Sequence, residues 1–155
     1  MTTGAVQRVG RRPQKEARHR AREAAVQMLY QWEVGRMPMS DVVRAFWSES
    51  GAQGSALAKD HRAFASALAS GVAGAVEDID PMIREAAEHW RIERMNVLDR
   101  LILRLAVHEF LHQPDTPAKV IINEALELAR TFSTDEAVGF INGILDAIRR
   151  RLERE

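Results

Sequence analysis

Asn96-Val97-Leu98-Asp99-Arg100-Leu101-Ile102-Leu103-Arg104-Leu105-Ala106-Val107-His108-Glu109-Phe110-Leu111-His112 is the stretch on which the fold turns. Its apolar residues recur at helical spacing, yet Leu98, Leu101, Ile102, Leu103, Leu105, Ala106, Val107, Phe110 and Leu111 together cover most of the circumference. A helix that is apolar nearly all round must be enclosed by neighbours, so this one is expected at the centre of the molecule. On its C-terminal side, Gln113-Pro114-Asp115-Thr116-Pro117 breaks the helix and starts another, with Thr116 as cap and Pro117 in the first turn, running through Ile121, Ala125 and Leu128. Ser133 to Glu136 has capping-box spacing and opens a last helix carrying Val138, Ile141, Ile144, Leu145 and Ile148, ending in Arg149-Arg150-Arg151, cations suited to the negative helix end.

Upstream of the central stretch, Asp80-Pro81 reads as the start of a helix reaching about Trp90, preceded by one from about Leu57 to Asp78 in which Gly71 and Gly74 admit a close neighbour. Ser40 looks like the cap of a short helix with Val42, Val43, Phe46 and Trp47, and Ser48 to Ser55 reads as a loop. The first helix is expected from about Glu16 to Val34, ending near Gly35. The pattern therefore predicts an all-α chain of about seven helices, with the Val120-Ile121-Ile122 triplet kept helical and no internal repeat.

The chain has 155 residues, 46% of them hydrophobic, which suits one domain with a true core. The absence of cysteine excludes disulfides, thiolate zinc sites and cysteine nucleophiles and fits a reducing compartment, the cytoplasm. Ala63 to Val76 lacks Asp, Glu, Lys and Arg but is too short to span a bilayer, and no signal-peptide pattern follows the basic N-terminus, so neither a membrane nor export is expected.

The zero net charge conceals a bipolar distribution. Arg8, Arg11, Arg12, Lys15, Arg18, Arg20 and Arg22 face only Glu16 in residues 1–22, whereas the whole chain has 22 residues of each sign, so a basic arm is joined to an acidic body. Residues 1–15 are expected to form a flexible basic arm and 16–155 a single all-α domain. Such a run can be merely a solvated tail. Lys15, Arg18 and Arg22, however, are spaced three and four apart, which makes them a cationic stripe on a helix whose Ala21, Ala25, Met28 and Trp32 pack inward.

Two motifs point elsewhere. His108-Glu109-Phe110-Leu111-His112 matches HExxH, in which two histidines one turn apart bind zinc and the glutamate activates water. Arg100 and Arg104 lie on the same four-residue seam and oppose a divalent cation, and Glu124 or Glu127 is the only evident third ligand, otherwise a solvated face. Gly139 and Gly143 form GxxxG, read here as close packing in a soluble core because Asp135, Glu136 and Asp146 flank it. Phosphate-binding glycine loops and local Ser/His/Asp signatures are absent.

The segments Arg18 to Tyr30, Asp99 to Ala106, Asn123 to Ala129 and Phe140 to Asp146, in that order and spacing, resemble the bacterial NusB family of antitermination factors over about Arg18 to Arg149. The resemblance implies two small packed helical subdomains, no catalysis, no cofactor and no bound metal. It implies binding of boxA, a single-stranded element of ribosomal RNA leaders, together with the ribosomal protein NusE, and an indirect association with elongating RNA polymerase. Carried over, Arg18, Arg20 and Arg22 match the family's arginines, His19 replaces an arginine common there, and Lys15 continues the stripe as a phosphate contact. Phe140 matches a position near the RNA path, where it stacks on a base or else packs in the core beside Ile144. Tyr30 and Asp99 match positions on the NusE side. Two rival readings are a zinc-dependent hydrolase using His108, Glu109 and His112, and a helical scaffold that binds no RNA. Whether some apolar faces close a homodimer is open at this level.

Overall fold

The computed structural model describes residues 3–49, 57–88 and 90–155, with side chains described from Gln14 onward. These residues form seven α-helices: α1 (Thr3–Gly35), α2 (Met39–Glu49), α3 (Lys59–Gly74), α4 (Val76–Ala86), α5 (Val97–His112), α6 (Ala118–Phe132) and α7 (Asp135–Arg151), with a single 3₁₀ turn at Ile92–Arg94. No strand occurs among the described residues, and no helix in them is long and apolar enough to cross a membrane.

The helices pack as two groups. α1, α2 and α3 lean on one another, α4 to α7 form the second group, and α5 touches both. Leu101, Ile102, Leu103 and Val107 of α5 are fully enclosed, as the all-round apolar pattern requires, and join one continuous core with Ala25 and Met28 of α1, Val72 of α3, Ile121 of α6 and Ile141 of α7. Alanines at 21, 24 and 25 give α1 a low inner face that lets it lie close against its neighbours.

Several boundaries differ from expectation, each for a local reason. α1 begins at Thr3, well ahead of Glu16. Ser40 does not cap α2, because the Pro38 carbonyl already accepts from the amides of Asp41 and Val42. Pro117, not Thr116, precedes α6, its carbonyl accepting from Val120 and Ile121. Thr134 caps α7 by accepting from the Ala137 amide, while Ser133, expected in that role, donates to Asp99 at 2.6 Å. The caps each move by one or two residues, and Asn96, where the sequence starts the central helix, proves to be the cap of α5, accepting from the Leu98 amide. The loop expected over Ser48 to Ser55 falls mostly outside the described residues.

The larger correction concerns Asp80-Pro81. The chain breaks earlier, at Ala75, and Pro81 sits inside α4, which ends at Ala86 rather than Trp90. Asp80 is unavailable as a cap because it is buried and receives both Nε and Nη2 of Arg104 at 2.8 Å. Burial opposes the Arg104 charge, but the hydrogen bonds and charge of Asp80, helped by Glu33, outweigh it and raise its pKa.

The glycines divide. At Gly71 a Cβ would lie 2.5 Å from Cε1 and Nε2 of His108, so only glycine lets α3 approach α5 here. Gly139 and Gly143 have open space beside them, which corrects the expectation that their GxxxG spacing serves core packing.

Candidate nucleic-acid interface

From Gln14 onward α1 presents two faces of different character. Lys15, Arg18 and Arg20 are exposed, while Arg22 is only 3% exposed and turned inward. Arg22 donates from Nε and Nη2 to the two carboxylate oxygens of Glu109, at 2.9 and 2.8 Å, in a bidentate pair enclosed between α1 and α5. Burial works against the Arg22 charge, but the hydrogen bonds and charge of Glu109, with Glu124 contributing, prevail and raise its pKa. Arg22 thus leaves the stripe expected with Lys15 and Arg18, and its guanidinium serves to hold α1 against the core.

The same pair disposes of the HExxH reading. Glu109 is 2% exposed and both its oxygens are occupied by Arg22, so it cannot activate a water. His108 is buried against Gly71 with its ring centroid 4.5 Å from that of His112. Burial first, and the adjacent His112 second, push its pKa down to about 4. No cluster of three metal-ligating side chains exists among the described residues. Arg100 and Arg104, expected to repel a cation, are themselves neutralised: Arg100 donates to Glu33 at 2.9 Å and Arg104 to Asp80.

A groove of about 810 Å³ runs between α1 and α6, with Lys15, His19 and Arg20 on one wall and Asn123, Glu124 and Arg130 on the other. His19 is half-buried, with Nδ1 2.6 Å from Glu124 Oε2 across the groove and Nε2 3.8 Å from Glu23. Glu124 is buried, not part of a solvated face as its pairing with Glu127 suggested, whereas Glu127 is exposed and accepts from Arg130 at 2.7 Å. Two of the groove's acids are thereby answered by His19 and Arg130. Lys15 and Arg20 keep their charge unpaired among the described residues.

Arg18 faces away from this groove and rests 5.0 Å above the Phe64 ring, with Arg22 5.6 Å from the same ring. Phe140 is half-buried on α7 and meets Trp90 edge-on at 5.7 Å; Trp90 itself is 59% exposed. Tyr30 is 41% exposed on the later part of α1, and Asp99 is 9% exposed beneath Ser133 at the start of α5. The structure therefore gathers Lys15, His19 and Arg20 in one groove, leaves Arg18 on the neighbouring face, encloses Arg22, and places Phe140, Tyr30 and Asp99 outside the groove lining. The α6 wall escaped the sequence reading, although Asn123, Glu127 and Arg130 recur at three- and four-residue steps on one outward face.

These features define a class: a protein that is all-α among its described residues, with exposed cations along one face of its first helix and its one catalytic-looking motif locked in an internal ion pair. Residues 19–150 match the NusB family, and the chain belongs to it. It is 45% identical over 138 residues to the transcription antitermination protein NusB of Koribacter versatilis (strain Ellin345), covering 89% of this chain and 92% of that protein. Among solved structures it is similar to T. maritima NusB, with a TM-score of 0.77 at 32% identity over 86% of this chain and 90% of the other. It shares its fold, at a TM-score of 0.77 and 24% identity over 88% of this chain and 98% of the other, with a chain of the antitermination factors NusB and NusE in complex with dsRNA.

Proposed function

We propose that the chain is a transcription antitermination factor that binds boxA-type single-stranded RNA of ribosomal RNA leaders in the cytoplasm, together with the ribosomal protein NusE, and so acts on elongating RNA polymerase indirectly. The observation that carries this reading is the α1–α6 groove, in which Lys15 and Arg20 present unpaired cations on a helix already fixed to the core. Phosphates supply affinity there, and unstacked bases supply sequence. Asn123 offers an amide with both donors and an acceptor for a base edge. His19, held by Glu124, adds a ring nitrogen to the groove, and exposed Arg18 extends the cationic surface. Phe140, backed by Trp90, gives an aromatic platform for a base. Tyr30 provides an exposed ring for NusE, while Asp99 acts from below the surface as part of the acidic body that a basic ribosomal protein would favour.

Fluorescence anisotropy with a boxA-like strand and a scrambled strand of equal length, at two salt concentrations and with or without NusE, tests the reading. Preferential, salt-sensitive binding that NusE tightens is the expected result. Equal binding of both strands, indifferent to NusE, would overturn it in favour of a helical scaffold with an adhesive basic surface.

A further inference from the structure

The groove does not end at α1. Arg20 forms part of its wall and also part of a second cleft of about 190 Å³, between α1 and α2, that reaches Trp47. Trp47 in turn walls a third cleft of about 340 Å³ with Lys59, Arg62, Ala63 and Ser66 of α3. Shared residues thus link three depressions into a track that crosses α1 at Arg20 and descends to the start of α3.

The far end of this track has the chemistry of a phosphate-and-base site. Lys59 is exposed and Arg62 half-buried, and among the described residues neither has a carboxylate within ion-pair distance. The Trp47 ring is fixed, its Nε1 donating to Ser66 Oγ at 2.8 Å and its plane perpendicular to that of Phe46 with the ring centroids 4.8 Å apart. A fixed aromatic flanked by unpaired cations suits single-stranded nucleic acid, which offers a π-face and a phosphate at every nucleotide. α3 starts after Ala58 with no side-chain cap, so its first amides add partial positive charge to the same place. Among the described side chains, the acids along the way are Glu23, 3.8 Å from His19, and exposed Asp60, against the three cations Arg20, Lys59 and Arg62.

Building on the groove reading above, we infer that Trp47, Lys59 and Arg62 form a second RNA-contact site, which takes nucleotides flanking the element held in the α1–α6 groove. Arg20 is the hinge point where the strand passes from one site to the other. The protein then reads a core element in the groove and gains further affinity, without sequence preference, from a flank of single-stranded RNA.

The test uses the full chain and three labelled strands: a core boxA-like strand, and the same strand extended with uridines at its 5′ or its 3′ end. One extension is expected to tighten binding about fivefold or more, the low end of what a stacked base contributes. Replacing Lys59 by Ala together with Arg62 by Gln is expected to abolish that gain and lower the salt slope on the extended strand by about 0.7 per phosphate no longer neutralised, leaving core binding unchanged. Lys59→Arg, which keeps the cation on an exposed site, is expected to retain the gain and controls for folding. The inference is overturned if neither extension tightens binding, or if the doubly substituted protein keeps the full gain. Failure of the core strand to bind at all would instead overturn the groove reading, and this inference with it.

Discussion

Arg20 and Arg22 lie two residues apart on α1 and do opposite things with the same side chain. Arg20 is exposed, without an ion-pair partner among the described residues, and borders two clefts. Arg22 is enclosed and satisfied bidentately by Glu109. An exposed guanidinium is a resource for an incoming phosphate, whereas a buried one is committed, because withdrawing it from its carboxylate leaves two desolvated charges. The cationic character of α1 is thus divided by depth: one face recruits, the other anchors.

Breaking the anchor should have the largest effect. Arg22→Ala or Glu109→Ala strands a buried charge and is expected to cost about 3–5 kcal/mol in chemical denaturation, whereas Arg22→Met with Glu109→Leu should recover most of the loss. If either single substitution proves neutral, the division between the two faces fails.

His108, behind the same anchor, gives a pH test. Its pKa is depressed from 6.5 to about 4 in the folded protein, so below pH 6.5 the unfolded chain binds the proton more readily. Its contribution is complete above about pH 6.5 and is lost as pH falls towards 4, to at most about 3 kcal/mol. His108→Gln should flatten the stability profile in that window, as followed by thermal melts in matched buffers.

Gly71→Ala probes the close approach that keeps His108 enclosed. The new methyl would meet the imidazole at 2.5 Å, and the expected loss is about 1–3 kcal/mol, as for overpacking elsewhere. Retention of full stability would show that the α3–α5 contact yields easily.

Smallest in stability, and largest in function, are changes on the recruiting face. Lys15→Ala with Arg20→Ala should shift stability by no more than about 0.5 kcal/mol. The same double substitution should weaken RNA binding and lower its salt slope by about 0.7 for each phosphate that is no longer neutralised. An unchanged slope would mean that the groove cations do not meet phosphate.

What could be read beforehand follows the range of the interaction responsible. Helical periodicity is local, so the buried character of Leu101 to Val107 and the inward set Ala21, Ala25 and Met28 were legible from spacing alone. Caps were legible only to within a residue or two, because tertiary partners choose between adjacent hydroxyls, as Asp99 does for Ser133. Asp80 has the sequence signature of a cap without being one, because its partner, Arg104, lies on another helix. Arg22 shows the same limit, since spacing assigns a residue to a face but not to a depth. The groove could not be drawn without α6, whose Glu124 is far along the chain from His19.

The docking of α1 also has a calorimetric consequence. Basic segments that order only when they meet RNA give up conformational entropy at that moment and bury apolar surface as they do so. Here the turns bearing Lys15, His19 and Arg20 are continuous with a helix whose inner alanines and Met28 are already enclosed. Association through the groove should therefore proceed with a small heat-capacity change and a large release of counterions, the signature of a surface that was rigid before its ligand arrived.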